Sequence, residues 1–495
     1  MFNENLKYIF GLKVRSLRMD KNFSFSELAA KTGLSVSYLN EIEKGKKYPK
    51  GDKIFALAQA FDTTYDELVS LKVNKKLQPL VDLLQSNLFQ ELPLEMYGLE
   101  LPKIIELISE YPEKVNAFIS TITQMARSYE MRREHFYFAA VRSYQELHDN
   151  YFEEIEEAVV QFKKKYGVAK DLPIQTETLQ NILKKQFGIK IEKESLPKHK
   201  ALKNLRSLHL VEKKKLLLNV GISSAQENFL IGRELGFQYL KLKERPLETP
   251  MLNAESFDSA LNNFKASYFA VALLMDKKEV IKDVRTFSRL QHWDEATFLA
   301  FLEKYNATPE MLMQRLTNIL PKHFNIKNLF FLRFVGKDNF SEYELDKELH
   351  LSRLHNPHKN ELGEHYCRRW IALGSIRHLR NLQRIGYTHS RTASVQIEQY
   401  WNTPNKYLCL SISFPNISHP QEAISITIGF LMNENLQRMI RFSNDLSEKT
   451  FEVHTTCERC PLIDCNERIA PPIKVQEEQE KREMEACLKE ILTSE

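Results

Sequence analysis

Three thiols fall within nine residues in Cys457-Glu-Arg-Cys460-Pro-Leu-Ile-Asp-Cys465. The two-residue gap between Cys457 and Cys460 lets both thiolates turn onto one metal without strain. Cys465 lies one short turn further on. Cys367, in His-Tyr-Cys-Arg-Arg-Trp, is the natural fourth ligand. Four thiolates suit a tetrahedral zinc, which would be structural, or an iron–sulfur cluster, which accepts irregular spacing and a remote fourth cysteine. Paired C-x-x-C knuckles are the commoner zinc signature, and one such pair is present. The spacing therefore leans toward a 4Fe–4S cluster, with zinc as the alternative and bare thiols still open. Cys409 and Cys487 have no such company and read as buried or idle thiols.

A second chemistry sits in Ser24–Lys50, SFSELAAKTGLSVSYLNEIEKGKKYPK. Leu28 and Ala29 mark the inner face of a short helix. Gly33 supplies a left-handed turn, and Ser35 caps the helix that follows. Leu39 and Ile42, three apart, point into one core. The residues left for base edges and phosphates are Ser35, Val36, Ser37, Tyr38, Asn40, Lys44 and Lys46. This is the pattern of a helix-turn-helix whose second helix enters a major groove. Lys47 and Lys50 extend the basic cluster, with Arg15, Arg18, Lys21 and Lys31 near in sequence, so binding should be salt-sensitive.

The bulk numbers add limits. A chain of 495 residues implies about two to four domains. A net charge of +5 argues only weakly for nucleic acid by itself. Met1–Lys13 lacks the unbroken apolar core of a signal peptide. No run approaches the roughly 18 apolar residues of a membrane span. A soluble, cytoplasmic protein with no membrane partner is expected, and clustered cysteines there read as metal ligands before disulfides.

These sites need elements to position them. The expected architecture is multidomain, mainly α with α+β parts. Residues 1–72 form the helix-turn-helix, with flanking helices over Leu6–Met19 and Asp52–Phe61 and a last one capped by Thr64. Residues 73–166 read as a helical connector and dimer interface, in which Pro93, Pro102 and Pro112 interrupt a helical apolar spacing. Residues 167–328 read as α+β, with short strands at Ile189–Glu192, Leu205–Val211 and Leu216–Val220 and helices at Ser223–Leu242 and Asn263–Lys277. Thr308 and Pro309 open a further helix. Residues 329–472 form a cysteine-containing α+β sensor domain, with strands at Phe330–Phe334, Thr392–Trp401, Tyr407–Phe414 and Ala423–Phe430. Residues 473–495 are a charged helical tail.

Three resemblances follow from these motifs. The S-x-x-x-L-A, G-L-S and E-x-G-x-x-x-P pattern (Glu43, Gly45, Pro49) resembles the lambda-repressor or Cro-type domain over Leu6 to about Leu71. It departs at Phe25, where that family often has glutamine. The middle region resembles the zinc-peptidase-like domain of ImmA/IrrE-type regulators. That resemblance implies an H-E-x-x-H helix, but the histidine positions are Arg233 and Phe237. Glu234 alone remains, and Asn262 and Asn263 stand where an acidic third ligand is expected. No catalytic residue is assigned, and the protein is expected not to be an enzyme.

The closing CERCPLIDCNERIAPP, with Cys367 and Trp370 upstream, resembles the short-chain fatty-acyl transcriptional regulator family. That resemblance implies an operator-binding homodimer or higher oligomer, control of short-chain fatty-acid metabolism, an acyl-CoA effector and, for some members, an iron–sulfur cluster. Arg368, Arg369, Arg377, Arg380 and Arg384 could hold phosphates or form a solvated helix face. The alternatives are a phage-type or stress regulator that senses a protein partner, and a zinc-dependent peptidase acting on a repressor.

Overall fold

The structure is a computed structural model describing residues 2–70, 133–168, 172–337, 342–351, 363–386, 390–416, 419, 421–446 and 449–493. The connector helices expected between Val73 and Arg132, with their proline breaks, lie outside the described residues. The chain divides into two compact units, Met1–Tyr144 with Ala254–Phe257, and Gln145–Asn253 with Asp258–Glu495.

The first unit contains five N-terminal helices: α1 (Phe2–Asp20), α2 (Phe25–Thr32), α3 (Val36–Glu43), α4 (Gly51–Phe61) and α5 (Tyr65–Val69). Their starts are written locally. Ser24 and Thr64 each close a capping box with a glutamate three residues on, Glu27 and Glu67, and Ser35 accepts from the Tyr38 amide. Each cap satisfies amides the helix would otherwise leave open. Gly33 ends α2 at φ 70°, a conformation that costs a side chain and is free to glycine. Leu28, Leu39, Ile42, Ile54, Leu57 and Phe61 close one core. The buried Glu43 carboxylate accepts from Arg18 at 2.6 and 3.0 Å, which ties α3 to α1 by a bidentate pair. The Arg18 guanidinium also lies 4.2 Å from the centre of the Phe25 ring, so Phe25 has a packing role.

Helix α6 (Arg133–Leu147) follows. The second unit continues with α7 (Glu153–Tyr166), α8 (Thr176–Phe187), β1 (Lys190–Glu192), β2 (Ser207–Leu210), β3 (Lys215–Leu218), α9 (Ser224–Tyr239), β4 (Glu248–Thr249) and α10 (Phe257–Leu274). The strands form a sheet in the order β1-β3-β2-β4. Helix α10 stops at Leu274, and α11 (Lys277–Ser288) restarts under an Asp276 cap. The single helix Asn263–Lys277 is thereby corrected: an aspartate that can accept from the Lys278 amide ends one helix and begins the next. Helices α12 (Glu295–Tyr305) and α13 (Pro309–Phe324) follow, the latter capped by Thr308 with Pro309 at its first position.

Helix α7 packs into this core. Arg315 of α13, fully buried, pairs with the buried Glu156 of α7 and donates to the Met275 carbonyl at 3.0 Å. Tyr268 of α10 donates to the same carboxylate at 2.9 Å. Phe162 of α7 stacks edge-on against Tyr239 and Phe269.

Six strands build the second sheet: β5 (Leu329–Lys337), β6 (Tyr343–His350), β7 (Thr392–Tyr400), β8 (Lys406–Pro415), β9 (Glu422–Leu431) and β10 (Thr450–Val453). Their order is β10-β7-β8-β9-β5-β6. Pairing is antiparallel except between β10 and β7, which run parallel. Helix α14 (Ile371–Arg384) lies across β5, β7, β8 and β9. Its Leu373, Ile376 and Leu379, with Trp370 just before it, join Phe330, Phe334 and Tyr407 in one core. Between the short helices α15 (Glu434–Met439) and α16 (Phe442–Asp445) and the end of the described chain come β10 and α17 (Ile473–Thr493). Helix α17 has no buried residue.

Candidate functional site

Helix α3 presents its polar face outward. Ser35, Val36, Ser37 and Asn40 are exposed, as is Lys46 beyond the helix end, while Lys44 is half-buried. Tyr38 is half-buried against the helical core, with the Lys53 ammonium 4.3 Å from its ring centre. Lys47 pairs with Glu41 at 3.3 Å. Short polar side chains on a rigid helix, flanked by cations, are what base-edge and phosphate contacts require.

The helix that resembles the peptidase H-E-x-x-H helix in sequence is α9. Gly232 and Gly236 lie one turn apart and face Ala270 and Ala266 of α10 so closely that an added Cβ would sit 3.1–3.2 Å from them. This close crossing places Arg233 beside Asn263, and Arg233 donates to its side-chain oxygen at 3.0 Å. Thr249 accepts from the same guanidinium. One replaced ligand position thus bonds another. Burial, with the neighbouring Arg245, pulls the Arg233 pKa down to about 10. Glu234 is buried and held by Arg245 at 2.8 and 3.0 Å and by Gln238 at 2.8 Å. His209 completes the cluster 3.7 Å from Glu234. Arg233 and Arg245 both lie over the Phe237 ring. Cations occupy the surroundings of the glutamate that a dication would need. Asn262 is turned elsewhere, donating to the Glu244 carbonyl at 2.8 Å.

The third candidate is built by two segments zipped together. Tyr366 and Thr456 form an antiparallel bridge. The Cys367 amide donates to the Thr455 carbonyl at 3.1 Å, and the Cys457 amide to the His365 carbonyl at 2.8 Å. Glu458 accepts from the His365 amide at 2.9 Å. Glu364 accepts from Arg459 at 2.7 and 2.8 Å and from Thr456 at 2.7 Å. The result is one small, solvent-open cavity whose walls include Cys367, Cys457, Cys460 and Cys465 with Arg368 and Arg468. Cys409 and Cys487 are not in its lining. Among the described residues, no three His, Cys, Asp or Glu side chains converge on a single ion; the thiols surround the space instead.

Burial favours the protonated thiol at Cys367 and Cys460, and backbone amides oppose it only in part. The His454 amide donates to Cys367 Sγ at 3.5 Å, and the Arg369 amide also bonds that sulfur. The Leu462 amide bonds Cys460 Sγ. Amide donors stabilise thiolate over thiol. Burial works the other way, pushing the Cys367 thiol up to about 11 and raising Cys460. A bound cation would take the place of the proton and offset that cost. Four cysteine sulfurs are the donor type that either a 4Fe–4S cluster or zinc would take.

Glu398 is a contributor the sequence did not reveal. It is buried, accepts from the Ile371 amide at 2.6 Å, and so caps α14 just after the Cys367–Trp370 segment. Burial raises its pKa to about 7. No local sequence signal marks this cap, because donor and acceptor lie on different elements.

Comparison with known proteins places two of these regions. The helix-turn-helix family matches residues 14–68, and the IrrE N-terminal-like domain matches residues 184–317. An uncharacterized HTH-type transcriptional regulator, y4dJ, of Sinorhizobium fredii is 30% identical over 66 residues, covering 13% of this chain and 86% of that protein. The chain belongs to the helix-turn-helix transcriptional regulators. A Mycobacterium tuberculosis transcriptional regulator of known structure is similar over 68% of this chain and 93% of that one, with TM-score 0.48 and 13% identity. Among the described residues, no helix is long and apolar enough to cross a membrane.

Proposed function

We propose that this regulator binds an operator through α3 and reports on metabolic or redox state through the thiol centre, without catalysing a reaction. The observation that carries the reading is the gathering of Cys367, Cys457, Cys460 and Cys465, remote in sequence, around one cavity. In this reading the four cysteines hold a 4Fe–4S cluster, which would supply redox sensitivity, or zinc, which would supply rigidity. The closing motif's resemblance to short-chain fatty-acyl regulators supports an acyl-CoA effector and a regulon of short-chain fatty-acid metabolism. Operator binding is by a homodimer, with half-sites about one turn of DNA apart. Asn40 and Ser37 read base edges, while Lys44 and Lys46 meet phosphates.

Footprinting on fragments of the source genome tests the DNA reading. Asn40→Ala is expected to lose about 1–3 kcal/mol on the specific site and almost nothing on unrelated DNA. Lys46→Ala is expected to weaken binding to both and to lower the salt slope by about 0.9. Undiminished affinity in both variants would defeat the assignment.

The IrrE-like region favours the peptidase alternative by its fold. Its chemistry speaks against it, because Arg233 is bonded to Asn263 and Glu234 is clamped by Arg245. Incubation with zinc and candidate protein partners is expected to give no cleavage above that of Glu234→Gln. Zinc-dependent cleavage abolished by that variant would make the protein an enzyme after all.

A further inference from the structure

One side chain organises the loop that carries three of the thiols. Arg468 donates from Nη1 to the Cys457 carbonyl at 2.6 Å and the Ala470 carbonyl at 3.2 Å. From Nη2 it donates to the Cys460 carbonyl at 2.8 Å and the Leu462 carbonyl at 2.6 Å. Four of the five guanidinium N–H donors thus bind backbone on both sides of the Cys457–Cys460 turn. The fifth, Nε–H, is buried and has no hydrogen-bond partner among the described residues. Arg468 also forms part of the wall of the cavity that the four cysteines line. Two other polar groups in that wall are engaged elsewhere: Glu467 by Arg377, and Thr456 by Glu364.

We propose that Arg468 is the positioning residue of the thiol centre: its Nη groups set the loop, and its Nε–H donates to a sulfur of the metal group. A buried donor is rarely left unmet in a folded protein, and a metal held by four thiolates is anionic, with sulfur acceptors on its surface. Hydrogen bonds to those sulfurs make an added electron easier to accept and hold the metal more firmly. Lysine at this position would keep the charge but could not fork across four carbonyls. The inference rests on the reading of the cysteines as metal ligands.

The test uses the full-length regulator, prepared anaerobically and loaded with ferrous iron and sulfide or with zinc. Arg468→Lys is expected to release metal to a chelator about tenfold faster or more and, in the iron form, to shift the midpoint potential negative. Arg459→Lys, outside the cavity lining, serves as control and is expected to change neither. In metal-free protein, Arg468→Lys should also speed alkylation of the buried Cys457 and Cys460 several-fold. That arm reports on loop setting whether or not metal binds. Faster alkylation with unchanged metal release and unchanged potential would overturn the sulfur contact. Wild-type protein that takes up neither iron nor zinc would end the metal reading and the sulfur contact with it, leaving only the loop role. Unchanged alkylation would overturn that role too. Should Arg468→Lys not fold, hydrogen exchange at Arg468 Nε in the wild-type zinc form decides: slowing on loading supports the contact, and unchanged exchange overturns it.

Discussion

Anaerobically purified protein is expected to be brown and to carry about four irons and four sulfides per chain, and Cys460→Ser to be colourless. The argument is geometric and electrostatic together. Cys460 sits between Cys457 and Cys465 in the loop that Arg468 holds, its sulfur already accepts the Leu462 amide, and it shares the cavity with Cys367. Its hydroxyl replacement is a poor ligand for soft metals, and three thiols are one ligand short of the four that either metal group takes. Metal and sulfide analysis with an ultraviolet–visible spectrum checks this. A colourless wild-type protein containing one zinc would replace the cluster with the zinc alternative. Cys487→Ser, on the exposed helix α17, is expected to leave metal content unchanged.

The largest effect on stability is expected at Glu156 and Arg315. Both are buried, and each is the other's charge partner. Arg315→Met leaves a carboxylate without a counter-charge inside the core and is expected to cost about 3–5 kcal/mol. The double change Glu156→Gln with Arg315→Met should cost clearly less than the sum of the single changes, because both act on one interaction. Urea denaturation of the four proteins gives the coupling directly; additive losses would show that the pair is not coupled.

The pH dependence has a definite sign. Burial by itself raises the Glu156 pKa, but the Arg315 charge and hydrogen bonds, aided by the Tyr268 hydroxyl, reverse this and hold it below the ordinary carboxylate value. A depressed carboxylate contributes its stability above the unfolded value, about 4.3. It loses that contribution as the pH falls through the folded value. Acid unfolding of Glu156→Gln should therefore be less steep than that of the wild type.

What could be read from the sequence was what is local. Ser24, Ser35 and Thr64 announce their helices through bonds to amides three residues away, so the N-terminal helices came out close to their observed bounds. Four long strands of the second sheet were legible because β5, β7, β8 and β9 are apolar or β-branched. Strand β6 was missed: Tyr-Glu-Leu-Asp-Lys-Glu-Leu-His shows mainly charge, and only Leu345 and Leu349 betray its inner face. Strands β4 and β10 are too short to carry a pattern. The two-glycine face of α9 is legible in the spacing of Gly232 and Gly236, one turn apart, with Ala266 and Ala270 as the matching pair. Asp276 was equally readable as a cap. The Arg233–Asn263 bond and the Glu398 cap were not, since each joins groups that only the tertiary fold brings together.

The parallel pairing of β10 with β7 makes the thiol centre a long-range contact. Cys367 is separated by 87 residues from His454, whose amide its sulfur meets. Strands β7, β8 and β9 can zip as neighbouring hairpins, but β10 must cross over to the edge beyond β7. The same crossing brings the cysteine loop beside the Cys367 strip, where the Tyr366–Thr456 bridge joins them. The four sulfurs come from two stretches far apart in sequence, so the centre depends on this sheet edge and not on a local turn alone.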